Sequence, residues 1–190
     1  MDTKPIYAVA WTGHRPQKLG GYEAHERHDL IREQIGDLIN RAVAKHGTTH
    51  QVVMITGGAL GVDQFVADKC IDLNIPFVIV APIDKQYAPW PTSSISHYMH
   101  LRGCASARIA KMLGEKLGVG HEIDGGRIVL HPGEKYDPKQ LQIRNQVMVD
   151  LADALVAIWD GSPGGTRNCV QYADLKGLPK IISAPVGGEK

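Results

Sequence analysis

Thr56-Gly57-Gly58-Ala59-Leu60-Gly61-Val62-Asp63 follows the apolar run 52–55 and leads into a stretch where Val62, Phe65, Val66, Cys70 and Leu73 recur at helical spacing. A short apolar run, a glycine-rich turn and an amphipathic helix together read as one βα unit of a parallel sheet. Two other turns repeat the arrangement. Thr12-Gly13-His14-Arg15 follows the apolar run 6–11, and Asp160-Gly161-Ser162-Pro163-Gly164-Gly165-Thr166 follows the run 154–159. Three such turns collect backbone N–H groups and helix N-termini on one edge of the sheet, where phosphate is bound.

Working outward, residues 27–45 carry Leu30, Ile31, Ile35, Leu38, Ile39, Ala42 and Val43 on one helical face, with Gly47 as the stop. A third strand is expected at 77–80, entered through Pro76, where proline removes no ladder bond. Residues 105–117 suggest a helix, 127–130 a short strand, 140–152 and 167–175 helices, and 180–183 a last strand. Alternating strands and helices predict a Rossmann-like, doubly wound, mostly parallel α/β sheet with helices on both faces, because parallel neighbours require crossovers. No repeat or linker divides the chain, so 1–190 is expected to be one nucleotide-binding domain. Within it, 84–103, rich in proline, serine and aromatic residues, reads as a lid loop, and 185–190 as a loose tail.

Composition narrows the function. With 21 Lys+Arg against 20 Asp+Glu, the net charge of +1 provides no global field for a polyphosphate backbone. Nucleic acid is therefore an unlikely partner, and a small anionic ligand the expected one. Cys70, Cys104 and Cys169 are odd in number and widely spaced, as expected of reduced thiols in a cytoplasm. No apolar run approaches the roughly 18 residues that span a bilayer, so no membrane association is expected. The His97/His100 and His25/His28 pairs lack the companion ligands of known sites, and neither a metal nor another cofactor is expected. The helix at 27–45 offers a face for a homodimer or higher homo-oligomer.

The candidate ligand-binding residues fall on the turns. Gly57 and Gly58 let the backbone approach a ligand without Cβ interference, Gly61 eases entry into the helix, and Ala59 lies between them. Asp63, in the first turn of that helix, either complements the helix dipole, hydrogen-bonds a ribose or handles a proton. It is the foremost candidate catalytic residue, with Asp160 as a substitute carboxylate and His14 as an alternative proton donor. Gly13, His14 and Arg15 place a guanidinium fork beyond the first strand, able to hold phosphate bidentately. Residues 161–166, with Gly164, Gly165 and Thr166 among them, offer consecutive N–H groups and two hydroxyls as an anion nest, and Asp160 before them is a further candidate site residue. Tyr87 and Trp90 either stack on a base or anchor their loop to the core. The absence of a Gly-Lys-Ser/Thr P-loop excludes ATP hydrolysis of that type, and the first turn lacks the G-x-G-x-x-G of dinucleotide dehydrogenases.

The motifs, taken in order, resemble the SLOG superfamily and, within it, the YpsA-like branch. Thr12-Gly13-His14-Arg15-Pro16 resembles the opening motif, and 56–63 the "SGGALGVD" turn. Pro82, Gln86 and Trp90 resemble a Pro-x-x-x-Gln-x-x-x-Trp segment. Arg144-Asn145-Gln146-Val147-Met148-Val149-Asp150 with Ala152-Asp153 resembles an "RNxxMVDxAD" helix, and Asp160-Gly161 with Gly164-Gly165-Thr166 the last loop. The resemblance implies binding of a nucleotide or a nucleotide-derived ligand such as an ADP-ribose species, and it adds Gln86, Arg144 and Asn145 to the site. Superfamily relatives include phosphoribohydrolases that cleave an N-glycosidic bond and DNA-processing proteins that bind single strands, so an N-glycosidase and a single-stranded DNA binder are the alternatives. The hydrolase loop resembles Pro-Gly-Gly-x-Gly-Thr-x-x-Glu. Here Thr166 is followed by Arg167, Asn168, Cys169, Val170 and Gln171, so that Glu is absent.

Overall fold

A computed structural model describes residues 4–23 and 25–187. Strand β1 (Ile6–Gly13) lies between β2 (Gln51–Thr56) and β6 (Ala154–Ile158), parallel to both. Beyond β2 lie β3 (Phe77–Ala81), β5 (Arg127–Val129) and β4 (Glu122–Asp124). Beyond β6 lies β7 (Lys180–Ser183). The sheet order is β4-β5-β3-β2-β1-β6-β7, parallel throughout except for β4, which runs antiparallel to β5. The expected Rossmann-like, mostly parallel α/β sheet is therefore present.

The strands are almost wholly apolar because helices cover both faces, and alternate residues feed two cores. Val9, Trp11, Met54, Phe77 and Ile79 point to one side. There they pack against helices α1 (Glu26–His46), α2 (Val62–Asp72) and α3 (Thr92–Cys104). Ala8, Ala10, Val53, Ile55, Val78 and Val80 point to the other. They meet α4 (Ala107–Gly114), α5 (Pro138–Asp150) and α6 (Gly165–Leu175). α5 starts cleanly because Asp137 and Gln140 form a reciprocal capping box and Pro138 occupies the first turn, where no N–H is needed.

Several expectations are corrected. The 84–103 segment is not a loop throughout: from Thr92 it is α3, whose buried Tyr98 and Leu101 anchor it to the core. Gly47 ends α1 in the right-handed region (φ −67°, ψ −17°), so it acts without the left-handed turn expected of a C′ glycine. The antiparallel edge strand β4 has no counterpart in the sequence reading. Of the tail 185–190, residues 188–190 lie outside the described residues. Val186 is tied to α1, its amide donating to Gln34 Oε1 (3.3 Å) and its carbonyl accepting from Arg27 Nε (3.0 Å).

Candidate functional site

Strand order reverses between β1 and β6: successive strands build outward from β1 on one side, and the chain then returns to build on the other. Open α/β sheets bind ligands in the crevice beyond the strand C-termini at such a switch point. A cleft of about 280 Å3 lies there, lined from β1 by Thr12, Gly13, His14 and Arg15, from α5 by Arg144 and Asn145, and from the β6–α6 loop by residues 162–166. Its volume is at the small end of ligand clefts, roughly 300–1,000 Å3.

The α6 N-terminus forms one wall. Its cap is Gly164, and among the described residues the amides of Gly165, Thr166 and Arg167 have no acceptor, leaving donors and the positive end of the helix dipole for an anion. Side chains hold this wall in place. Thr166 Oγ1 donates to Gly13 O (3.0 Å), and Asn145 Nδ2 donates to Gly165 O (3.3 Å). Ser162 N donates to Asp160 Oδ1 (2.9 Å), and Trp159 Nε1 donates to Ser162 O (2.8 Å).

His14 and Asp160 close the floor, His14 Nε2 lying 2.8 Å from Asp160 Oδ1. Hydrogen bonds from Ser162, with the neighbouring His14, hold the Asp160 carboxyl well below the usual carboxylate range. Burial pushes the His14 imidazole below its ordinary value, against the pull of Asp160. The floor at neutral pH is thus a carboxylate beside a mainly neutral ring.

The cationic groups differ in their engagement. Arg144 is only 5% exposed. Its Nη1 donates to Asp63 Oδ2 (3.2 Å), while its Nε is buried without a partner among the described residues. Arg15 is exposed at the rim and, among the described residues, its guanidinium forms no hydrogen bond or ion pair. Lys18, on the 3-10 turn Pro16–Lys18, bonds to Ser162 Oγ across the cleft mouth.

The Gly57–Gly61 turn lies beside this cleft with part of its backbone already engaged. Gly58 N donates to Thr56 Oγ1, Ala59 N to Asp63 Oδ2, and Val62 N, the first amide of α2, to His14 O. A Cβ at Gly57 would overlap the Arg144 guanidinium, so the space expected for a ligand is filled by that side chain. Gly61 has φ +95°, and a Cβ there would collide with His14 O, so glycine joins this turn to the first one. Gly58 packs against Ile79 and Tyr98.

The structure brings Gly13, His14, Arg15, Ala59, Asp63, Arg144, Asn145, Gly164, Gly165 and Thr166 together at the cleft. Asp160 supports its floor. Gln86 and Trp90 stand apart. Gln86 Nε2 donates to Gly57 O (3.1 Å) and Tyr98 Oη (3.0 Å), clamping the second turn. Trp90 meets Tyr98 edge-on at 5.4 Å and packs against the core, so of its two readings the anchor is the observed one. Sequence reasoning missed Gln17, Lys18, Leu141 and Trp159 as lining residues. Leu141 was within reach of it, standing one helical turn before Arg144.

No family model matches the chain. It is 35% identical over 125 residues to the uncharacterized SPbeta prophage-derived protein YoqJ of Bacillus subtilis (strain 168), covering 63% of this chain and 67% of that one. It is 22% identical over 177 residues to a UPF0398 protein of Bacillus anthracis, covering 89% and 83%. Among solved structures it resembles DNA processing protein A of Streptococcus pneumoniae (TM-score 0.61, 13% identity, 93% of this chain). It also resembles DNA processing protein A of Helicobacter pylori, whose structure is described for its single-stranded DNA binding mode (TM-score 0.58, 16% identity, 94% of this chain). It spans 50% and 65% of those two chains, and at these identities the likeness is one of fold. Among the described residues no helix is long and apolar enough to cross a membrane, and no group of three or more His, Cys, Asp or Glu is placed to hold a metal ion. By its identity with YoqJ across two thirds of that protein, the chain belongs to the YoqJ family and carries it on a Rossmann-like sheet.

Proposed function

We propose that this chain binds a nucleotide or nucleotide-derived anion in the switch-point cleft, with its phosphate on the α6 N-terminus. The observation that carries the reading is the convergence of two donor sets on one small cleft. These are the first-turn amides of α6 and the Arg15 guanidinium, both without an acceptor among the described residues. The resemblance to the SLOG superfamily supports the same ligand class. The cleft volume suits a mononucleotide better than a dinucleotide.

Asp63 is a poorer candidate for catalysis than for architecture, since its Oδ2 is shared between Ala59 N and Arg144. Binding is therefore favoured over glycosidic cleavage. Single-stranded DNA is the second reading: Arg15 and Lys18 at an open mouth could receive one phosphate of a strand, against the net charge of +1. Calorimetric titration with AMP, ADP-ribose and a short oligodeoxynucleotide at two salt concentrations tests this. The expected result is saturable binding of a mononucleotide, weakened about tenfold or more in Arg15→Ala by loss of a charge-assisted hydrogen bond. Release of free base, absent in Asp63→Asn, would instead establish the hydrolase. Oligonucleotide binding alone, with a steep salt dependence, would establish the DNA reading.

A further inference from the structure

A second cleft of about 280 Å3 opens on the other side of the Gly61 turn, between the 3-10 turn, α1, α2 and the start of α3. Its lining is rich in rings. His28 lies 5.2 Å from Phe65 and 6.0 Å from His25, centroid to centroid, in tilted arrangements. The charges around it are already matched: Arg32 stacks over Phe65 at 4.2 Å and faces Asp29 (3.3 Å) and Asp68 (3.8 Å), while His97 Nε2 lies 2.7 Å from Asp68. Nothing here offers a free cation to an anion.

Two polar groups, neither of them ionised, remain unmatched. His28 is 7% exposed, and its Nε2 is buried with no partner among the described residues. Burial pushes its pKa down, against a hydrogen bond to the Gly21 backbone, so the ring is neutral, with one donor and one acceptor nitrogen. Gln64 is buried as well. Its Nε2 donates to Gly58 O (3.3 Å), while its amide oxygen receives no hydrogen bond among the described residues. A buried ring nitrogen left unpaired is costly, and an occupant able to satisfy it removes that cost.

We propose that this cleft binds a neutral, flat heteroaromatic ring of the nucleobase class. The ring inserts beside the His25, His28 and Phe65 faces and offers its mixed N–H and ring-nitrogen edge to His28 Nε2 and the Gln64 oxygen. The ring belongs either to a free nucleoside or to a base of a strand; the chemistry is the same. The proposal does not rest on the phosphate cleft, which lies on the other side of the turn.

The probes are adenosine, which carries no phosphate, and a short oligodeoxyadenylate, read by the histidine side-chain 15N resonances of the whole chain. A saturable shift of His28 Nε2 is expected. Adenosine affinity, read by calorimetric titration, should weaken about tenfold in His28→Phe, as loss of one hydrogen bond predicts. Ser94→Trp, which fills the mouth from the first turn of α3, should weaken it likewise with the circular dichroism unchanged. A shift with adenosine assigns the cleft to a free nucleoside, and a shift with the oligonucleotide alone assigns it to a strand. No His28 shift with either probe, or undiminished binding in Ser94→Trp, overturns the proposal.

Discussion

Arg144 occupies the space that any side chain at Gly57 would need: a Cβ there would overlap its guanidinium and come within 2.6 Å of Asp63 Oδ2. The missing side chain at Gly57 thus makes room for the buried Asp63–Arg144 ion pair. Gly57→Ala is expected to displace Arg144 and destabilise the protein by about 3 kcal/mol, the combined cost of overpacking and of disturbing a buried pair. Urea unfolding checks this. A change within about 0.5 kcal/mol, the size of an ordinary surface substitution, would mean that Arg144 relaxes freely.

The Asp63–Arg144 pair carries its own prediction. Asp63→Ala leaves a buried cation without its carboxylate and should cost about 3–5 kcal/mol. Adding Arg144→Met should recover much of that loss, because an uncharged chain of similar length needs no partner. A double-mutant cycle by chemical denaturation measures the coupling, which should exceed about 1 kcal/mol for groups in direct contact.

The three cysteines should differ in reactivity. Burial pushes the Cys70 thiol far up and the Cys169 thiol up to about 11, so neither presents thiolate at neutral pH. Cys104 is exposed. A colorimetric thiol reagent should therefore titrate one fast group in the native protein and all three after denaturation, and Cys104→Ser should abolish the fast phase.

His97 contributes a pH dependence. Its hydrogen bond to Asp68 raises its pKa in the folded protein, against opposing desolvation. The stabilisation is therefore complete below the unfolded value of about 6.5 and is lost as pH rises through the higher folded value. Melting temperatures of the wild type should fall relative to those of His97→Gln between mildly acidic and mildly alkaline pH. Parallel curves would show that the pair contributes nothing.

Strands β1, β2 and β6 were legible because each is a short apolar run closed by a glycine-bearing turn, and the long helix because its apolar stripe is seven residues deep. The segment from Thr92 misled because Pro89, Pro91 and a Thr-Ser-Ser cluster are loop signals. Pro91 in fact sits just outside the helix, where proline costs nothing. The three-residue β4 carries too little pattern to be read. The candidate site was legible as a set of turns, but their division of labour was not. That depends on Arg144 reaching Asp63 across 81 residues of sequence, which consumes the Gly57 turn and leaves the α6 terminus open. No local spacing encodes such a contact.

The central claim is that an anion sits on the α6 N-terminus. Titration of 15N-labelled protein with AMP, followed through backbone amide resonances, tests it most directly. The account predicts that Gly165, Thr166 and Arg167 shift first and saturate together, with the Arg144 Nε resonance moving in step. Saturable AMP binding that leaves those amides in place, or no binding at millimolar AMP, would contradict it.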